Sequence, residues 1–183
     1  MGFMVSPETL RQFPLFASLQ SEILAEFAMS GELVSLASNT TLFHAGEKAT
    51  ALYIILEGCV EIRTAVGLEG TCQIGVSTLR KGDLLGWSAL VEPYIYQMSA
   101  VATAASKLIK FDGVCICEIL THNPEVGYVI MSRITETIGS RLNDLRVRFI
   151  SLIEGGRWQH FSVRKSLYID EGGRANLPFD DVE

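Results

Sequence analysis

The 183-residue sequence has no continuous run of about 18 apolar residues, the least that a helix needs to cross a bilayer. Its start lacks a basic segment followed by an apolar one, so neither a membrane partner nor a secretory leader is expected, and a cytoplasmic location is. Positive charge is not in surplus: 15 Lys and Arg stand against 21 Asp and Glu, for a formal net charge of -6. That balance removes the long-range attraction on which nucleic-acid binders rely, and it disfavours nucleic acid as a partner. Cysteine and histidine are scarce. No two of Cys59, Cys72, Cys115 and Cys117 have Cys-x-x-Cys spacing, and His44, His122 and His160 fall in separate segments, so no metal site is expected. Gly-x-Ser-x-Gly, His-Glu-x-x-His and P-loop patterns are also absent, and no nucleophile has a base and an orienting group beside it. An enzyme is therefore not expected.

What the sequence does have is glycine-punctuated apolar runs between helical ends. Ser6 precedes Pro7 and Glu8, a capped helix start, and Ser21 opens a second helix with Ile23, Leu24 and Phe27 on one face. Short apolar runs then follow at residues 32–36, 41–44, 51–56, 60–65, 72–76, 99–103 and 107–111. Gly46, Gly58, Gly67, Gly70, Gly75 and Gly82 sit between or within them. The pattern predicts a mainly β fold with flanking helices, a jelly roll or sandwich. Asp112-Gly113 starts a helix, and Pro124 begins the long one. Along it Met131, Ile134, Ile138, Leu142, Leu145, Phe149 and Leu152 recur at steps of three and four, a coiled-coil-like seam with one stutter. A homodimer seam and a helix packed on its own domain both produce such a stripe. Three regions are expected: residues 7–122 as the roll with its N-terminal helices, 123–154 as the dimerisation helix, and 155–183 as a short tail. The tail carries Arg157, Trp158, His160, Phe161, Arg164 and Lys165 before an acidic end, and no DNA-binding domain is expected in it.

Leu42-Phe43-His44-Ala45-Gly46-Glu47, then Leu52-Tyr53-Ile54-Ile55-Leu56-Glu57-Gly58, Gly82-Asp83-Leu84-Leu85-Gly86 and Ser99-Ala100-Val101-Ala102 form an ordered set. It resembles the cyclic-nucleotide-binding domain of the catabolite activator (Crp/Fnr-like) superfamily over about residues 10–152, which implies a β-roll or jelly roll, the double-stranded β-helix of cupin-like proteins, followed by a long dimerisation helix. The resemblance implies a ligand cassette made of Leu85, Gly86, Trp87, Ser88, Ala89, Leu90, Tyr96, Gln97, Met98 and Ser99. In the family a glutamate follows the cassette glycine and accepts the ribose hydroxyl, and an arginine pairs with the cyclic phosphate. Here those positions hold Trp87, whose side chain accepts no hydrogen bond, and Tyr96, which is uncharged at neutral pH. Charge-assisted hydrogen bonds are worth about 1.5–3 kcal/mol each. Losing both weakens binding by roughly two to four decades, at about 1.4 kcal/mol per decade, which argues against cAMP or cGMP as the ligand. A short helix at Ser88, Ala89 and Leu90 would still offer N–H groups to a nucleotide or another small anion. Trp87 and Tyr96 either close such a pocket or fill it. The resemblance also suggests that Arg141, at the stutter of the long helix, caps the pocket of its own or a partner subunit. The alternative is a solvated or ion-paired arginine.

The expected function is a non-catalytic regulatory module that binds a small-molecule effector and passes the signal through its helix to a protein partner. The alternative is a dimeric interaction or scaffold protein with a degenerate pocket. A DNA-binding regulator stands third, given the acidic charge and the short tail.

Overall fold

The computed structural model describes residues 5–66 and 72–154. The turn expected at Gly67 and Gly70, the tail 155–183 and the Leu152 side chain lie outside the described residues.

Two short helices lead in: α1 (Pro7–Arg11) and α2 (Ser21–Ser30). Ser6 caps α1 by accepting the Thr9 N–H at 3.1 Å, and Pro7 occupies the first turn, where its missing N–H costs nothing. Eight strands follow: β1 (Gly31–Leu36), β2 (Thr41–Phe43), β3 (Ala51–Glu57), β4 (Val60–Val66), β5 (Cys72–Leu79), β6 (Leu84–Leu85), β7 (Ser99–Ala102) and β8 (Ser106–Asp112). They form two antiparallel four-stranded sheets, β1-β8-β3-β6 and β2-β7-β4-β5. Asp112 ends the last strand and caps α3 (Gly113–His122) by accepting the Val114 and Cys115 N–H groups. Pro124 then opens α4 (Pro124–Glu154). The roll with flanking helices and a long C-terminal helix is the fold that the glycine-punctuated pattern predicts. Only β6 has no counterpart among the expected strands, because two residues are too few to carry an alternation.

The strand period of two sorts the core into two layers. From β3, Ala51, Tyr53 and Ile55 face the interior of the roll, where they meet Phe43, Val60, Leu79, Leu85, Ala100 and Leu108. Leu52 and Ile54 face the other way. With Leu84, Ile109 and Phe111 they pack against Leu10, Phe16, Leu24 and Phe27 of the N-terminal segments and Ile116, Ile130 and Ile134 of the later helices. Sheet β1-β8-β3-β6 is thus covered on both faces.

The apolar stripe of α4 divides. Ile134 is only 2% exposed and buried in its own chain's core, while Met131 and Ile138 pack partly against the same core. At these positions the expectation of a partner-facing seam is corrected: periodicity marks the apolar face, and here the chain itself covers it. Leu142 is 67% and Phe149 60% exposed, with Leu145 at 38%. One compact unit extends to Leu142, past the boundary expected at residue 122, and a second begins at Asn143. Among the described residues no helix is long and apolar enough to cross a membrane.

Two glycines separate backbone strain from crowding. Gly58 and Gly82 both have φ of +92°, a left-handed conformation that costs an L side chain about 1–2 kcal/mol. A Cβ at Gly82 meets open space, whereas at Gly58 it would lie 2.3 Å from Ser106 Oγ and 2.5 Å from the Ala105 carbonyl oxygen. Gly58→Ala is therefore expected to lower stability in urea unfolding by about 1–3 kcal/mol more than Gly82→Ala, the overpacking term.

Candidate functional site

The cassette begins at β6 and turns at Gly86. Its φ of +80° and its 2.5 Å gap between an added Cβ and the Ala51 carbonyl oxygen both require glycine. The next residues form one 3-10 turn, Trp87–Leu90, and not an α-helical start. The Ala89 N–H is taken up by the Gly86 carbonyl at 3.0 Å. One of the three amide donors expected to face an anion is thus already used.

The turn distributes its side chains between the two core layers. Leu85, Ala89 and Tyr96 belong to the roll interior, whereas Trp87 and Leu90 pack against the outer layer beside the helices. Trp87 and Tyr96 do not close one pocket together, because the 3-10 turn rotates Trp87 to the helical side of the sheet. Gln97 is exposed, with its amide donating to the Ile95 carbonyl at 3.2 Å, and Met98 is half-buried. Ser99 is buried and accepts the Ala45 N–H at 3.0 Å. Ser88 is buried at the start of the turn.

Tyr96 is the organising side chain. Its hydroxyl donates to the Ala51 carbonyl at 2.9 Å and accepts the Ala51 N–H at 3.2 Å. Its own backbone bonds Gly46 and Glu47, so both ends of the residue are fixed. Its ring stacks on Phe43 with centroids 3.8 Å apart and planes 12° from parallel. Phe43 in turn stacks on Tyr53 at 6.1 Å. Burial, then the neighbouring Tyr96, pushes the Tyr53 phenol well above its ordinary pKa, so it stays neutral. Tyr96 thus presents to the roll interior a phenol whose donor and acceptor roles are both met within the chain. Among the described residues, the side-chain hydrogen bonds of Tyr96 both run to the Ala51 backbone, and Tyr96, Phe43 and Tyr53 form a run of three rings in the interior.

Phe43 and Tyr53 were not among the expected site residues. Their inward strand positions are legible from the period of two, but their pairing with Tyr96 joins segments far apart in sequence.

Arg141 reaches the approach to the cassette in its own chain. Its guanidinium donates to the Leu84 carbonyl oxygen. Ile55 bonds Asp83 and Gly82 across the β3–β6 pair, and Leu84 is the next residue along. Alternation therefore turns the Leu84 carbonyl away from β3, toward the free edge of the sheet. Arg141 thus supplies a donor to that edge of the sheet. Burial lowers its pKa, and the nearby Asp83 carboxylate opposes the shift. The four cysteines are free, and among the described residues no three His, Cys, Asp or Glu side chains cluster as metal ligands.

With this geometry in place, the chain was compared with known proteins. The family model described as cyclic nucleotide-binding domain matches residues 33–123. A crystal structure of a candidate cyclic nucleotide-binding protein from Geobacter metallireducens GS-15 is 31% identical, covers 76% of this chain and 99% of its own, and superposes with a TM-score of 0.67. The N-terminal domain of a transcriptional regulator from Streptomyces coelicolor A3(2) is 27% identical over 74% of this chain and 92% of its own, with a TM-score of 0.57. A candidate potassium channel protein of Rhodopseudomonas palustris is 25% identical over 141 residues. The match spans 77% of this chain but only 33% of that relative's length.

Tyr96→Phe keeps the stack but leaves the Ala51 N–H and carbonyl without their partner. Thermal or urea unfolding should register a loss of about 1–3 kcal/mol, the cost of unsatisfied buried groups. Tyr96→Ala, which also opens a cavity, should cost about 3–5 kcal/mol.

Proposed function

Since the chain belongs to the cyclic nucleotide-binding domain family, we propose that it is a non-catalytic regulatory module whose roll does not recognise cAMP or cGMP and whose output is a protein interaction. The observation that carries this is Tyr96: the side chain that the family resemblance would put at the phosphate position stacks on Phe43 and closes both hydrogen bonds on Ala51. Displacing it for a ligand would break two buried hydrogen bonds and the stack before any new contact formed. Nor would the ligand find a carboxylate at position 87, where Trp87 packs on the helical layer. Of the two functions expected from the sequence, a ligand-responsive module and an interaction module with a degenerate pocket, the filled interior favours the second.

The relatives' own contexts differ, a transcriptional regulator in one case and a candidate potassium channel protein in another. A nucleotide-silent member of the family suits an arrangement in which the domain's contribution is its surface. Leu145 and Phe149 lie four residues apart on one exposed face of α4. We assign that face to pairing with a second copy.

A thermal-shift panel with cAMP, cGMP and inorganic phosphate is expected to leave the melting temperature unchanged. A saturable rise with either cyclic nucleotide would overturn the proposal.

Light scattering should give twice the chain mass. Leu145→Glu with Phe149→Glu should return the single-chain mass without lowering the melting temperature of the roll, since neither side chain is buried. A wild-type chain that is monomeric at all concentrations would sink the pairing assignment.

A further inference from the structure

We propose that the domain carries a ligand site outside the roll, in the cleft between the N-terminal turn, the approach to β6 and α4, and that this site takes a small amphiphilic monocation. The inference goes beyond the nucleotide-silent reading and does not rest on it, because the cleft lies on the helical side of the sheet and shares no residue with the 3-10 turn or the aromatic stack.

The cleft has a volume of about 510 Å³, within the range of about 300–1,000 Å³ typical of small-molecule sites. Phe13, Leu15, Ile54 and Leu84, all buried core side chains, contribute to its lining. Its charged lining consists of two carboxylates, Asp83 and Glu136, and one guanidinium, Arg133.

These charges are not equally available. The Arg133 guanidinium is turned to the N-terminal turn, where it donates to the Pro14 carbonyl and, at 2.8 Å, to Ser18 Oγ. Asp83 accepts the Arg80 N–H at 2.7 Å and has the half-buried Arg141 close by. Glu136 is exposed and makes no hydrogen bond or ion pair among the described residues. The complement of an apolar lining with one uncommitted carboxylate is an apolar body bearing one ammonium group. An anion would meet Glu136 without a free cation to offset it. A neutral ligand would gain the lining but not the charge.

Such a ligand would touch α4 and the strand that leads into the cassette at once, since Leu84 both lines the cleft and accepts the Arg141 hydrogen bond. That makes the cleft a place from which the helix can be addressed while the roll interior stays filled.

The test is saturation-transfer NMR on the full chain with phenethylamine, phenethyl alcohol and phenylacetate, which share a ring and a chain length and differ in charge. Phenethylamine is expected to bind most tightly. Glu136→Gln should weaken it by about two- to fivefold, the worth of one exposed ion pair, and erase its advantage over the alcohol. Ala17 is an exposed lining residue, so Ala17→Phe should fill the cleft and abolish amine binding in a chain whose melting temperature is unchanged. Equal binding of all three probes, absence of amine binding, or an amine preference that survives both substitutions would each overturn the proposal.

Discussion

The bond between the Tyr96 hydroxyl and the Ala51 backbone is the contact on which the rest of this domain depends. Residues 50 and 51 are where three segments meet. Tyr96 closes both of its hydrogen bonds on Ala51, Gly86 passes within a methyl's distance of the Ala51 carbonyl, and the Gly113 N–H that opens α3 donates to Thr50 at 2.8 Å. The cassette, the central strand β3 and the start of the C-terminal helices are thus tied to two consecutive peptide units. A change at Tyr96 would be felt on both sides of the sheet.

The physical contrast is between a phenol and a guanidinium in a low-dielectric interior. A buried guanidinium without an anion carries a large desolvation cost, so a roll that holds one is completed by its ligand. A phenol with its donor and acceptor both met carries no such debt, and its ring contributes apolar burial and stacking with Phe43 and Tyr53. The same scaffold is therefore complete on its own. The cation nearest to the cassette in sequence logic, Arg141, is committed to the sheet edge at Leu84. On the proposed reading, regulation by this domain rests on surfaces and on α4, not on filling the roll.

Much of this was legible in the sequence, and the limits have physical causes. Glycine spacing and short apolar runs located seven of the eight strands among the described residues, because turn chemistry and hydrophobicity are local. Ser6, Asp112 and Pro124 marked the helix starts through cap chemistry, which is also local. The fate of Trp87 was not legible: a 3-10 turn entered through a left-handed Gly86 breaks the alternation, so Trp87 leaves the face on which Tyr96 lies. The Phe43–Tyr96 stack joins β2 to a loop far downstream, and no window of sequence contains both. The stripe on α4 was visible as a stripe, but periodicity does not distinguish a face covered by the chain itself, as at Ile134, from one left exposed, as at Leu142.

The central claim is that Tyr96 occupies the roll interior in place of a nucleotide. It is tested most directly by hydrogen exchange of the Ala51 amide, followed by NMR with and without cAMP. The account predicts that this amide, held by the Tyr96 hydroxyl inside the core, is among the slowest to exchange and is unaffected by millimolar cAMP. Fast exchange in the free protein, or a change in its protection when cAMP is added, would contradict it.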